Sequence, residues 1–300
     1  MRLLVTGCNG QLGWELARSL MPLGEVIAVD CPQCDFTKPE TLIELLDVVK
    51  PDVIVNPAAY TAVDKAETEV KLAMQVNATA PGVLAEEAKK RGVLLVHYST
   101  DYVFDGTKMT PYTEDDMPNP LNTYGRSKLA GDESIRQSGC DYLIFRTSWV
   151  YAARAQNFVK TILRLAQERE ELKIVADQIG APTWARNIAD ATAHAIHQAA
   201  SERSWGDFES GVFNMTAAGS VSRYEFAEAI IGAVRRRGVE QETRIVVPIT
   251  AAEHHAVAPR PNYSVLENKK LAERFGIMLP EWEKALAFCL DSLIVEEVVL

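Results

Sequence analysis

Tyr124-Gly125-Arg126-Ser127-Lys128 sets a phenol and an amine four positions apart, and on a helix that spacing places both on one face. A free phenol has a pKa of about 10 and is a poor acid or base near neutrality, but a neighbouring cation lowers that value. Lys128 would supply the cation, and the pair could then pass a proton to a substrate oxygen. The chain holds nine tyrosines, so this spacing arises readily by chance on a solvated helix face. Its weight comes from the residues around it. Ser99-Thr100-Asp101 ends an apolar run that reads as a strand, and open α/β sheets bind ligands at such carboxyl ends. A Thr100 hydroxyl there could orient a carbonyl and stabilise the alkoxide developing on it.

A second group of residues is suited to binding a dinucleotide. Gly7, Gly10 and Gly13, with Gln11 and Leu12 between the last two, follow an apolar run and open a helical stretch. Glycines in that place permit a tight turn, a close approach of backbone to pyrophosphate and close helix–sheet packing, while the helix N-terminus offers donors to the phosphate. The spacing is G-x-x-G-x-x-G rather than G-x-G-x-x-G. Asp30 closes the next strand, where its carboxylate can accept hydrogen bonds from a ribose. A carboxylate repels a 2′-phosphate and so favours NADH, but Lys38 could reach round the loop, which leaves NADPH open.

The elements that must position these groups follow from hydrophobic periodicity. Strands are expected at Leu3 to Thr6, Val26 to Asp30, Val53 to Asn56, Leu94 to Ser99 and Tyr142 to Arg146. Helices are expected at Gln11 to Leu20, Thr41 to Val49, Leu72 to Lys90 and Tyr124 to Arg136. The alternation predicts an α/β, Rossmann-like, doubly wound parallel sheet: a dinucleotide-binding domain over 1–150, to which later segments return. Residues 151–300 read as mainly a smaller mixed substrate lobe, with helices near Phe158 to Ala166, Ile188 to Ala199, Tyr224 to Arg236 and Ala285 to Val295. Isolated strands are expected at Val212 to Asn214 and Ile245 to Val247. The stretch Asp105 to Asn122, with Pro111, Pro118 and Pro120, reads as an ordered loop over a site.

Taken together, the glycine triplet, Asn56-Pro57-Ala58-Ala59-Tyr60-Thr61-Ala62-Val63-Asp64, the segment from Ser99 to Gly106, and Tyr124-Gly125-x-Ser127-Lys128 resemble the extended short-chain dehydrogenases. The resemblance narrows to the dTDP-4-dehydrorhamnose reductase family through Arg146-Thr147-Ser148-Trp149-Val150-Tyr151, Asp177-Gln178-x-Gly180-x-Pro182-Thr183 and Arg260-Pro261-x-x-Ser264-x-Leu266. It runs over nearly the whole chain. It implies reduction of the C4 keto group of a dTDP-linked 4-keto-6-deoxysugar by NADPH or NADH, in nucleotide-sugar and polysaccharide biosynthesis. Tyr124 would be the proton donor, Thr100 would orient the carbonyl, and Lys128 would also hold the nicotinamide ribose. The resemblance further implies Asp35, Phe36, Ala58, Ala59 and Tyr60 beside the cofactor, and Thr100, Asp101 and Trp149 beside the sugar nucleotide. A homodimer is compatible with it. Three departures stand out: Ala152-Ala153 where the family often has glycine, Asp132 for a usual glutamate, and Arg186 where some relatives hold a subunit-bridging magnesium with a carboxylate. Glu15 matches one ligand of that site, and no metal is expected here.

Bulk properties limit the alternatives. A net charge of −10 argues against a nucleic-acid partner, while small phosphates remain accessible to local backbone donors. No apolar run reaches membrane-spanning length and the N-terminus lacks a signal-peptide pattern, so a soluble cytoplasmic protein is expected, with no membrane partner. Five scattered cysteines fit a reducing compartment, and Cys31-Pro32-Gln33-Cys34 reads as two ordinary loop thiols. His194 and His197 lack a third ligand, and His254-His255 lies in a polar connection. Two other functions share parts of the pattern. Sugar-nucleotide epimerases and dehydratases recycle bound NAD, but dehydratases carry Asp-Glu after the strand-end threonine, where this chain has Asp101-Tyr102. A related non-catalytic subunit binds methionine adenosyltransferase; the intact Thr100, Tyr124 and Lys128 speak for an enzyme.

Overall fold

The computed structural model describes residues 1–299. Its first half runs β1 (Arg2–Val5), α1 (Gln11–Ser19), β2 (Glu25–Ala28), α2 (Pro39–Val49), β3 (Val53–Asn56), α3 (Val63–Ala66), α4 (Val70–Met74), a π turn at Gln75–Thr79, α5 (Ala80–Arg91), β4 (Leu94–Thr100), α6 (Thr123–Ser138) and β5 (Tyr142–Thr147). Each of the five expected strands is present within two residues of its anticipated bounds. The remainder runs β6 (Val150–Tyr151), α7 (Phe158–Glu168), β7 (Glu171–Val175), β8 (Ile179–Gly180), β9 (Thr183–Trp184), α8 (Ala185–Trp205), β10 (Gly211–Asn214), β11 (Val221–Ser222), α9 (Arg223–Arg236), β12 (Ile245–Ile249), α10 (Ala251–His254), α11 (Lys269–Phe275) and α12 (Trp282–Val299).

Six parallel strands form the main sheet in the order β10-β5-β4-β3-β1-β2. β3 and β4 are buried along their whole length because helices cover both faces, which is why they read as apolar runs rather than alternating ones. Leu12 and Leu16 of α1 pack with Ile188 and Ile196 of α8 in one core. Leu42 and Leu46 of α2 join Leu84 and Ala88 of α5 in a second, on the other face. α8 and β10 thus return to the sheet from beyond residue 150. The smaller lobe is built from the pairs β8–β11, β7–β12 and β6–β9, and from a third core in which Phe226 of α9 meets Tyr151 and Trp282. Four of these strands are only two residues long, too short to show a period of two.

The long helix expected from Leu72 to Lys90 is interrupted by the π turn, and Pro81 explains it. Proline has no N–H for the carbonyl four residues back, and its ring crowds that carbonyl. The carbonyl belongs to Asn77, and the widened turn lets it lie against α6, where a Cβ on Gly131 would come within 2.1 Å of it. The Asn77 side chain then holds the loop after β3: its Oδ1 accepts from the Tyr60 N–H at 2.8 Å, and its Nδ2 donates to Tyr60 O at 2.9 Å and Ser127 Oγ at 3.0 Å.

The connection from Asp105 to Asn122 is tied down as expected. Phe104 and Tyr112 stack with centroids 4.3 Å apart, and the Tyr112 N–H donates to Val265 O at 2.8 Å. Asp105 accepts from the Thr107 and Tyr112 hydroxyls and from Asn119. The segment ends in Asn122, which caps α6 by accepting from the Gly125 N–H at 2.8 Å and anchors it by donating to Pro259 O at 2.8 Å.

Candidate active site

A cavity of about 570 Å³ crosses the carboxyl ends of β2, β1, β3 and β4. Gly7, Gly10, Gln11, Leu12, Gly13, Asp30, Asp35, Phe36, Ala58, Ala59, Tyr124 and Lys128 all line it. The glycine loop is shaped by contact. Gly7 has φ +58°, and a Cβ there would lie 3.0 Å from Ala58 Cα; a Cβ on Gly13 would lie 2.0 Å from Gly7 O. No side chain caps α1, so its first N–H groups are left for an anion. Asp30 helps fold the loop by accepting from the Asn9 N–H at 2.9 Å and the Cys31 N–H at 2.8 Å.

Tyr60 is the member of the expected cofactor set that does not line this cavity. Its main chain is held by Asn77, and its hydroxyl donates to Glu69 at 2.6 Å. Cys31 and Cys34 both lie on the cavity rim; burial, with Asp30 and Asp35 nearby, pushes the Cys34 thiol up to about 12, so it stays protonated. Lys38 pairs with Asp35 at 3.6 Å.

Tyr124 and Lys128 stand on the first two turns of α6, which packs close to the turn after β4: a Cβ on Gly125 would come within 2.2 Å of Tyr102 O. Tyr124 is half-buried, with Tyr102 edge-on to its ring at 5.9 Å. Its phenol pKa is raised, first by desolvation and then by Asp101, Tyr102 and Asp132, while a hydrogen bond with Thr100 acts the other way. This reverses the lowering that the sequence alone assigns to Lys128: burial dominates, and the phenol stays protonated through the neutral range. Lys128 is itself buried, and desolvation brings its amine down to about 8 against the opposing charge of Asp132. Its Nζ lies 3.1 Å from His97 Nε2.

Thr100 and Asp101 are both buried, and neither they nor Trp149 line this cavity, although Ser99 beside them does. Thr100 Oγ1 donates to Asp101 Oδ1 at 3.1 Å and accepts from the Tyr102 N–H at 3.1 Å. Asp101 Oδ2 accepts from Ser148 Oγ at 3.1 Å, and Ser264 also bonds the carboxylate. Burial raises the Asp101 carboxyl to about 6. The carboxylate therefore faces protein hydroxyls, those of Thr100, Ser148 and Ser264. Trp149 has φ +45° and lies over Gly180, where a Cβ would meet its indole at 2.6 Å. The Arg223 guanidinium stacks 4.1 Å from the Trp149 ring, and its Nε donates to Gln178 Oε1 at 3.1 Å.

Several groups at the site carry no sequence motif. Arg223 lies over Trp149 and is held by Gln178, and Ala155 and Gln156 reach back to line the cavity from the loop after β6. That loop follows the unusual Ala152-Ala153, which is buried and held by Asn157 Nδ2 donating to Ala152 O at 2.7 Å. His97 had a visible signal: it is a lone polar residue inside the apolar run Leu94-Leu95-Val96-His97-Tyr98. Asp132, where a glutamate is usual, sits in a buried polar cluster. Asp132 is buried, accepts from Ser99 Oγ at 2.6 Å and stays 3.8 Å from Arg146, two of whose buried nitrogens lack a hydrogen-bond partner. Glu15 is engaged by Arg18 at 3.0 Å and by Arg186 at 3.1 Å.

The parallel sheet, the glycine loop and the Tyr124–Lys128 pair define a dinucleotide-dependent oxidoreductase of the extended short-chain type. The family model described as the RmlD substrate binding domain matches residues 1–295. A dTDP-4-dehydrorhamnose reductase of Burkholderia thailandensis is 53% identical over 296 residues, covering 98% of this chain and 99% of its own. Its namesake from Escherichia coli K12 is 41% identical over 297 residues, 98% of each chain. The crystal structure of a dTDP-4-dehydrorhamnose reductase from Bacillus anthracis in complex with NADP matches with a TM-score of 0.89 at 34% identity, covering 97% of this chain and 99% of that one. The chain belongs to the dTDP-4-dehydrorhamnose reductase family.

Proposed function

We propose that this chain reduces the C4 keto group of dTDP-4-dehydro-L-rhamnose to give dTDP-L-rhamnose, using NADPH or NADH. The observation that carries the reading is the pair Tyr124 and Lys128, one turn apart on α6, which together line the cavity that the glycine loop also lines. The cavity fits a dinucleotide: side chains on Gly7 or Gly13 would collide with the protein, and the uncapped start of α1 suits a pyrophosphate. Asp30 would take the adenosine ribose, and Lys128 the nicotinamide ribose. When bound, the reduced nicotinamide supplies the hydride for the keto carbon.

The chain's own residues handle the proton. Tyr124 donates its O–H to the carbonyl oxygen as negative charge builds there. Thr100, which donates its single hydroxyl proton to Asp101 and accepts from the Tyr102 N–H, would turn that proton from Asp101 to the substrate oxygen and so share the developing charge. Lys128, the one basic side chain on the cavity wall among the described residues, stabilises the phenolate left behind. Trp149, backed by Arg223, would form the wall on the sugar-nucleotide side.

The test is to supply the 4-keto sugar made from dTDP-glucose by a dehydratase and an epimerase, with 4-deuterated NADPH or NADH. One equivalent of cofactor consumed per sugar, with deuterium at C4 of the product, is expected. Isomerisation without net cofactor oxidation would instead make the chain an epimerase.

A further inference from the structure

A buried row of polar side chains crosses the sheet below Lys128, and the reduction as written makes no use of it. Thr6 directly follows β1, Asn56 ends β3 and His97 lies within β4. The strands are in register, with Val5 opposite Val55 and Asn56 opposite His97. Thr6 Oγ1 is 2.7 Å from Asn56 Oδ1, Asn56 Nδ2 is 3.1 Å from His97 Nδ1, and His97 Nε2 is 3.1 Å from Lys128 Nζ. None of the four is more than 2% exposed.

Donor counting fixes the protons in this row. An ammonium has three donors and no acceptor, so the His97 nitrogen facing it must accept and carries no hydrogen. Burial and the charge of Lys128 hold the His97 pKa well below its usual value, so the ring is neutral and its single proton lies on Nδ1. That proton needs an acceptor on Asn56. The amide oxygen provides it once the side chain is turned so that its NH₂ donates to Thr6, an exchange of two nearly identical orientations. The Asn56 main-chain carbonyl also favours a proton on the ring.

We propose that His97 is a positioning residue for Lys128: a neutral Nδ1–H imidazole that accepts a hydrogen bond from the ammonium, keeping it charged and fixed beside Tyr124. The inference rests on the roles given above to Tyr124 and Lys128. The charged group acting on Lys128 is Asp132, one turn along α6, which is itself held by Ser99 of β4 and faces Arg146 of β5. Asp101 and Tyr102, from the turn after β4, act on Tyr124. Removing the acceptor leaves a buried ammonium without its partner, so Lys128 gives up its proton at lower pH and Tyr124 becomes a weaker acid.

Two measurements test this. In protein labelled with ¹⁵N at its five histidines, the resonance lost in His97→Gln identifies His97. The full chain should show neutral His97 protonated on Nδ1 between pH 6 and 8; an Nε2–H tautomer or an imidazolium would overturn the proposal whatever the enzyme turns over. In keto-sugar reduction, His97→Leu should move the alkaline limb of kcat down by about one pH unit, with a loss of about fivefold at pH 8, approaching tenfold above it, and almost none at pH 6. His97→Gln, whose amide oxygen can accept, should recover part of the loss. An unchanged profile in folded His97→Leu, or an equal loss at every pH without recovery in His97→Gln, would reduce His97 to packing. If His97→Leu does not fold, the tautomer decides.

Discussion

Burial sets the protonation states on which the proposed chemistry depends: it raises the Tyr124 phenol, lowers the Lys128 amine to about 8 and raises the Asp101 carboxyl to about 6. A protonated phenol is the form a reductase needs, and Lys128 has to be charged to stabilise the phenolate left by proton transfer. Turnover should therefore fall above about pH 8 as Lys128 loses its proton, which a pH series of kcat checks. The same shift enters stability. The folded value for Lys128 lies below its ordinary 10.5, so between about 8 and 10.5 the unfolded chain binds more protons and folding is favoured as pH rises. Lys128→Met should accordingly be more stable than the parent below pH 8, by a margin that narrows toward pH 10.5 in denaturant titrations. Thr100→Val, which removes the hydroxyl but keeps the shape, should lower kcat by about 10²–10³-fold with cofactor affinity preserved. Tyr124, Lys128 and Thr100 were legible because each sits in a local motif. The role of His97 was not, although the residue itself stands out in its apolar run: its partners, Asn56 and Lys128, come from distant positions that only the strand register and α6 bring together.

At the scale of elements, strand ends and helix starts hold the site, and these carry strong local signals. Apolar runs of four to seven residues marked the central strands, and Gly7 to Gly13 marked the turn between β1 and α1. Asn122 is the cap on which the position of α6 depends. Asn122→Ala loses both the cap and the bond to Pro259, and should cost about 1–2 kcal/mol in chemical unfolding while raising KM more than a surface substitution does. Asp30 lines the cavity, and with the adenosine ribose proposed beside it Asp30→Ser should raise the ratio of kcat/KM for NADPH over NADH, measured at saturating sugar. The π turn was hidden because the apolar periodicity runs on through it. Pro81 was the available sign, and reading it requires knowing that the freed Asn77 carbonyl has α6 to lie against.

On the scale of the whole molecule, the sheet and the smaller lobe meet over the Tyr124 end of the site. The loop from Asp105 to Asn122 joins them through Tyr112 and Val265, and Trp149 and Arg223 bring the start of α9 toward the strand ends. The sheet was readable from sequence as a pattern of alternating elements. The lobe was less so, because its two-residue strands gain their pairing only from tertiary contact. The role of Tyr124 is tested most directly by one comparison, single-turnover oxidation of NADPH and NADH by the parent chain and by Tyr124→Phe with dTDP-4-dehydro-L-rhamnose. The parent should oxidise one equivalent of cofactor per sugar, and Tyr124→Phe should bind cofactor normally while reacting about 10²–10⁴-fold more slowly. Parent-like oxidation by Tyr124→Phe, or none by the folded parent with either cofactor, would contradict it.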